Sequence, residues 1–279
     1  MHVRQRLMPS FRHLRLEKLT DFGVAQYVKR RKEEGAAQAT INRELATLSH
    51  LLNRALEWGW ITTRPSIDKG REDPKQIVVL STPQKLALSN AAAEDQDPFT
   101  WMFVAIALGT AMRHSEILRI RWSEIDFEQR RIHIPQAKAG QREQPMPSAL
   151  ANLLKAEWEL IGRPPGYLFG TIRADAKSAH RQTMSKQFRR TVERAKLDPA
   201  TVTPHVLRHT AITDLVKARV DLPTIQKISG HKTLAMVQRY THLSDEHVNE
   251  AVENLATGLS AQVTPKLHTP VAVAANDAA

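Results

Sequence analysis

The run from Trp101 to Leu108 is apolar without a break, and with Phe99 ahead of it the segment is apolar all round a helix. A helix with no polar face has nothing to offer water, so other elements must wrap it on every side. A bilayer span needs roughly 20 apolar residues, and this run falls far short of that. The chain is therefore expected to build its core around one central buried helix. Its 279 residues, 42% of them hydrophobic, suit about two globular domains.

Periodicity predicts the elements around that helix. Residues 20–35 and 38–58 read as two helices. Thr20 caps the first, whose apolar positions are Phe22, Val24, Tyr27 and Val28. Ile41, Leu45, Leu48, Leu52, Ala55 and Leu56 stripe the second, and Gly59 ends it. Two helices bury little, so part of residues 1–19 should join them in a helical domain over 1–61. The polar stretch 62–76, with Pro65, Gly70 and Pro74, reads as a linker. A second domain over 77–256 is expected to open with a strand at Ile77–Leu80 and a helix beginning at Ser81-Thr82-Pro83. Alternation from Ile125 to Met146 predicts strands with a turn at Lys138-Ala-Gly-Gln141. Helices follow near 148–161, 182–196, 204–219, 222–229, 233–241 and 245–256, and 257–279 reads as a flexible tail. The fold class is mainly α with a small antiparallel β-sheet.

A formal net charge of +11 favours a polyanionic partner, nucleic acid before an anionic membrane. The absence of cysteine removes disulfides, thiolate catalysis and Cys-based zinc sites. The first residues hold no apolar core for a signal peptide. A cytoplasmic protein is expected.

Chemistry-bearing residues gather in the second domain. Thr203 and Pro204 mark a helix start, and 3.6 residues per turn bring His205, Arg208 and His209 to one side. The helix start attracts anions through its free N–H groups. Taken alone, this is an ordinary amphipathic helix. The i,i+4 histidines lack the glutamate a zinc protease motif needs, because Val206 follows His205. Arg113 offers a fork of donors suited to phosphate oxygens, and Glu116 could orient it; in isolation the two are a surface ion pair. Lys138, at a hairpin tip, either solvates the loop or sits in a minor groove and protonates a leaving 5′ oxygen. Tyr240 follows Val237 at helical spacing, as a half-buried aromatic would, but His231 lies nine residues before it. Together these residues can surround a phosphodiester with positive charge while a tyrosine oxygen attacks it.

Their order resembles that of the tyrosine recombinases, the phage integrase family. Arg113-His-Ser-Glu-Ile-Leu118 looks like the family's first arginine box and His205-Val-Leu-Arg-His-Thr210 like its second. Ser229-Gly-His-Lys232 and Val237-Gln-Arg-Tyr-Thr-His242 look like the boxes of the last histidine and the tyrosine. Thr40 to Leu48 is similar to part of the N-terminal core-binding domain. The resemblance spans about 14–256 and implies a C-shaped clamp on duplex DNA, with 1–61 the core-DNA-binding domain and 77–256 the catalytic domain. It implies that Tyr240 forms a 3′-phosphotyrosine link, that Arg113, Arg208 and His231 stabilise the transition state, and that Lys138 is general acid. His205 would assist proton transfer or position the phosphate, and Glu116 would support the site. No metal or cofactor is implied. The implied partners are double-stranded DNA, further copies of the chain in a homotetramer on paired sites, and accessory DNA-bending or directionality proteins; the implied location is the nucleoid.

The sequence departs from the family pattern in places. Ala111 stands where glycine is usual, and would be strained if that position needs a positive φ. Ser229 replaces a usual leucine, and Arg64-Pro65 a usual Asn-Pro. The family's first core-binding helix would lie upstream of Met1, so the N-terminal domain is read as truncated. Two alternatives stay open: a type IB topoisomerase, sharing the chemistry but resealing the same strand, and a non-catalytic integrase remnant that binds DNA. Residues Leu255 to Val263 are expected to dock on a neighbouring copy in the recombinase case.

Overall fold

The computed structural model describes residues 3–72, 76–135, 140–171 and 178–241. Lys138, the expected helix at 245–256, the docking segment and the tail lie outside them. The chain divides into two compact units, Met1–Gln76 and Ile77–Ala279. Among the described residues no helix is long and apolar enough to cross a membrane.

In the first unit, helical turns at Val3–Leu7 and α1 (Met8–Phe11) precede α2 (Asp21–Glu33) and α3 (Gln38–Glu57). The Thr20 side chain accepts from the Gly23 amide and caps α2. Helix α3 ends in a left-handed turn at Gly59, φ +70°, with Trp60 N–H donating to the Ala55 carbonyl and Gly59 N–H to Leu56. That pairing satisfies carbonyls the helix end would leave open. Leu7 and Leu19 join Val24, Tyr27, Ile41, Leu45, Leu48 and Leu52 in one core.

Two stripe assignments need correction. Phe22 is 71% exposed, because α2 buries Val24, Tyr27 and Arg31, and Phe22 falls off that face; Leu56 is exposed on α3 likewise. The inward face instead carries a polar group. Glu44 is buried and takes two bonds from Arg31, at 2.9 and 3.0 Å, and one from the Tyr27 hydroxyl at 2.8 Å. A buried carboxylate of this kind holds only because its lone pairs are filled. The stretch read as a linker is tied to these helices as far as residue 72. Asn42 donates to the Gly70 carbonyl and to Glu72, and Ser66 N–H donates to Asp21.

The second unit is built around α5 (Thr100–Thr110), whose residues Met102, Phe103, Val104, Ile106 and Ala107 are almost fully buried. Around it lie α4 (Thr82–Ala93), α6 (His114–Ile117), α7 (Ser148–Leu160), α8 (Ser185–Arg194) and α9 (Pro204–Lys217). Helix α4 opens with a full capping box of Ser81 and Gln84. The sheet is antiparallel in the order β1 (Ile125–Asp126), β2 (Arg131–Ile134), β3 (Arg142–Pro145), with His133 opposite Glu143. Ile132 and Ile134 point into the core. The strand expected at 77–80 does not form. Leu80 is buried and its N–H goes to the Thr210 hydroxyl of α9 instead of a sheet partner. The described chain closes with α10 (Leu222–Ser229), capped by Asp221, and α11 (Leu234–Gln238). The last helix is shorter than the expected 233–241, so Tyr240 stands in the turn after it.

Candidate active site

Five chain segments meet near one end of α5. Helix α5 finishes at Ala111, which takes the left-handed conformation, φ +55° and ψ +21°. This backbone turn sends Arg113 away from the buried helix. Its alanine is strained by about 1–2 kcal/mol relative to a right-handed residue. Burial of its methyl, worth about 0.8 kcal/mol, and the lower unfolded-state entropy than glycine offset most of that. The departure from glycine is thus tolerable here.

Arg113 holds α6 by its fork. Its Nη1 donates to Glu116 at 2.9 Å, its backbone N–H to the other carboxylate oxygen at 3.1 Å, and its Nη2 to the Gly230 carbonyl at 2.6 Å. This is no surface ion pair, since the Glu116 side chain is only 6% exposed. Glu116 also accepts from Arg142 Nη2 at 2.9 Å, and Arg142 reaches on to the Ile228 carbonyl at 2.8 Å. Burial alone would raise the Glu116 pKa; hydrogen bonds from Arg113 and the charge of Arg142 outweigh it and hold the carboxyl below its ordinary value.

Gly230 ends α10 with φ +65°, and a Cβ there would lie 3.0 Å from the Arg142 guanidinium. Gly230→Ala is expected to cost about 1–2 kcal/mol from the left-handed backbone alone, read as a lower denaturation midpoint, and to push Arg142 off Glu116. An unchanged midpoint would mean the backbone here relaxes freely.

Arg208 emerges from α9 and is 2% exposed. Thr203 occupies the cap position of that helix, but its side chain makes no capping hydrogen bond; Pro204 is at the first helical position, as expected. The Arg208 guanidinium donates to the Ala111 carbonyl at 2.7 Å and meets His231 Nε2 at 3.1 Å. Both partners are neutral. Burial, then the like charge of Arg113, lowers its pKa to about 10, still far above neutrality, so the group stays cationic. Three guanidiniums, from Arg113, Arg142 and Arg208, thus gather around one carboxylate.

His231 is oriented by Ser229. The buried Ser229 hydroxyl lies 2.6 Å from the Ile225 carbonyl, to which it must donate, and 2.8 Å from His231 Nδ1. With its proton committed, the oxygen can only accept from Nδ1–H, which leaves the Nε2 lone pair for Arg208. The serine in place of leucine therefore fixes a tautomer.

Tyr240 is 4% exposed, its ring set among Ala111, Ala211, Ile212, Ile225 and Val237. Its hydroxyl meets His209 Nδ1 at 2.7 Å. Burial raises the phenol pKa against the lowering effect of Arg208 and Arg239. His205 is exposed and lies edge-on to His209, ring centres 4.5 Å apart. The structure thus brings together Arg113, Glu116, His205, Arg208, His231 and Tyr240. Arg142 and the contact of His209 with the tyrosine were not foreseen from sequence. A strand arginine has no spacing signal, and the HxxRH run shows His209 but not what it touches. Among the described residues, no group of three or more His, Asp or Glu could hold a metal ion.

Burial, followed by the neighbouring cations, lowers the pKa of both His209 and His231 to about 4. The folded state then binds these protons less readily than the unfolded chain, where histidine titrates near 6.5. Stability is full above about pH 6.5 and falls as pH drops toward 4. We expect roughly 2 kcal/mol to be lost between pH 7 and pH 5, allowing for partial solvent exposure. Chemical denaturation at the two pH values checks this; greater stability at pH 5 would contradict it.

Residues 79–247 match the phage integrase family. The chain is 30% identical over 214 residues to a shufflon-specific DNA recombinase of Escherichia coli, covering 73% of this chain and 51% of that protein. It thus spans about half the length of that relative. It is 28% identical to tyrosine recombinase XerC of Corynebacterium efficiens, covering 84% of this chain and 77% of the relative. In fold it is similar to the Tn1549 transposon integrase solved with transposon right-end DNA, with a TM-score of 0.74, 21% identity and 90% of each chain covered. It is also similar to the XerH site-specific recombinase bound to its difH substrate, with a TM-score of 0.72, 20% identity, and 88% of this chain and 76% of that one covered. The chain belongs to the phage integrase family of tyrosine recombinases.

Proposed function

We propose that this chain cuts and rejoins double-stranded DNA at specific sites through a 3′-phosphotyrosine link on Tyr240. The observation that carries the reading is the excess of buried guanidinium over carboxylate beside a tyrosine hydroxyl. A cationic cluster that one carboxylate only partly neutralises is costly by itself, and a phosphodiester offsets that cost. Arg113 and Arg208 offer fixed charge where the pentacoordinate phosphorus gains negative charge. His231 adds a further donor once protonated, with Ser229 accepting from its other nitrogen. Glu116 keeps Arg113 and Arg142 in place, His205 helps to position the phosphate, and Lys138 protonates the leaving 5′ oxygen. The link conserves the energy of the broken bond, so a second 5′-hydroxyl reseals it without a nucleotide cofactor or a metal.

The partners proposed are duplex DNA, further copies of this chain assembled as a tetramer on paired sites, and accessory proteins that bend DNA or set direction. All of this takes place in the cytoplasm, on the nucleoid. Nicked suicide duplexes tiled from DNA flanking the gene, incubated with protein in EDTA, should yield an SDS-stable adduct on a particular duplex. Relaxation of plasmid lacking any such site would favour a topoisomerase. Site-specific binding with no adduct would favour a remnant that only binds.

A further inference from the structure

We infer that His209 is the base that takes the Tyr240 proton during DNA cleavage, an assignment that rests on the function proposed above. The phenol is almost closed to solvent, so its proton has no ready path to water. Among the described residues, the hydrogen-bond partner of the Tyr240 hydroxyl is His209 Nδ1, at 2.7 Å, which is transfer distance. The other imidazoles are less well placed. His231 lies 6.2 Å from the tyrosine ring, centre to centre, and its nitrogens are engaged by Ser229 and Arg208. His205 packs edge-on against His209 on the exposed side.

The step balances without any further reactant. The Tyr240 O–H bond breaks and its proton goes to His209 Nδ1. The phenolic oxygen forms the bond to phosphorus, and the P–O5′ bond breaks as Lys138, the general acid proposed above, gives its proton to the leaving oxygen. Rejoining reverses each movement, with His209 returning its proton to the departing phenol.

The surroundings of His209 tie this step to DNA binding. It is faced by His205 and Arg208 on its own helix, by His231 after α10, and by Arg239 and Tyr240 after α11. Burial and these neighbours keep it neutral, so it is free to accept. A phosphodiester beside Arg208 cancels part of the charge that depresses its basicity, and the growing negative charge on phosphorus favours the imidazolium further. The base thus becomes effective only when DNA is in place.

The test uses the full chain on the nicked duplexes described above. His209→Asn keeps a hydrogen-bonding amide near the tyrosine but cannot take up a proton. We expect DNA binding to be retained, with single-turnover cleavage at pH 7 slowed by roughly 100-fold or more. Its rate should rise steadily with pH where the parent is flat, and imidazole should restore part of the rate of His209→Ala. An Asn variant that cleaves at the parent rate with the parent pH profile overturns the inference. Nitrogen-15 spectra of the histidine-labelled parent give a reading that needs no substrate. An unprotonated Nδ1 on His209 supports the assignment, and a protonated Nδ1 donating to the phenol contradicts it. A parent adduct with an indifferent His209→Asn would sink this inference alone. No parent adduct on any duplex would sink the recombinase reading and this inference with it.

Discussion

Tyr240→Phe should fold, bind DNA as the parent does, and form no covalent adduct. The substitution removes one oxygen and keeps the ring in its apolar cluster of Ala111, Ala211, Ile212, Ile225 and Val237. Its stability cost is one hydrogen bond to His209, about 1 kcal/mol net. Burying the phenol also has a desolvation cost that phenylalanine avoids, so the denaturation midpoint should move little. The chemical effect is total, because the substitution removes the attacking oxygen itself. Gel-shift affinity and SDS-gel adduct yield, read side by side, separate the two effects. Adduct formation at the parent level by Tyr240→Phe would remove the nucleophile from the account.

Arg208→Met is expected to slow cleavage by about 1,000-fold, in line with loss of a fixed donor aimed at developing charge. It should also leave the free protein at least as stable as the parent. Arg208 is a buried cation held by a carbonyl and a neutral imidazole, beside a second cation, Arg113. Methionine fills much of the volume, and relief of desolvation and like-charge repulsion offsets the lost hydrogen bonds. Arg208→Lys should not rescue the rate, since an ammonium cannot place two donors in one plane. His209 and His231 should both titrate higher in Arg208→Met, because the charge of Arg208 lowers each of them. Single-turnover rates and denaturation curves decide the matter. A variant that loses several kcal/mol of stability but cleaves normally would make Arg208 a structural residue.

The features readable in advance are those set by near neighbours in sequence. The caps at Thr20 and Ser81, the glycine turn at Gly59 and the wrapped helix α5 each follow from a few consecutive residues. Failures began where long-range contacts decide. The segment 77–80 has strand-like composition, but the buried Thr210 hydroxyl captures its N–H and no strand lies alongside. Phe22 loses its place on the α2 stripe because the inward face is given to the Arg31–Glu44 pair, formed between two helices. In the site, the boxes at 113–118, 205–210, 229–232 and 237–242 were legible as a pattern. The Arg142–Glu116 bond joins β3 to α6, and the Ser229–His231 pairing needs the left-handed turn at Gly230; neither leaves a mark in spacing.

The most direct test of the account is the mass of the peptide that carries DNA. Protein and the reactive suicide duplex are incubated in EDTA, the adduct is digested with protease and nuclease, and the modified peptide is sequenced. The account predicts a nucleotide 3′-phosphate attached to Tyr240 and formed without metal. Attachment at any other residue, or cleavage that leaves no attachment at all, would contradict it.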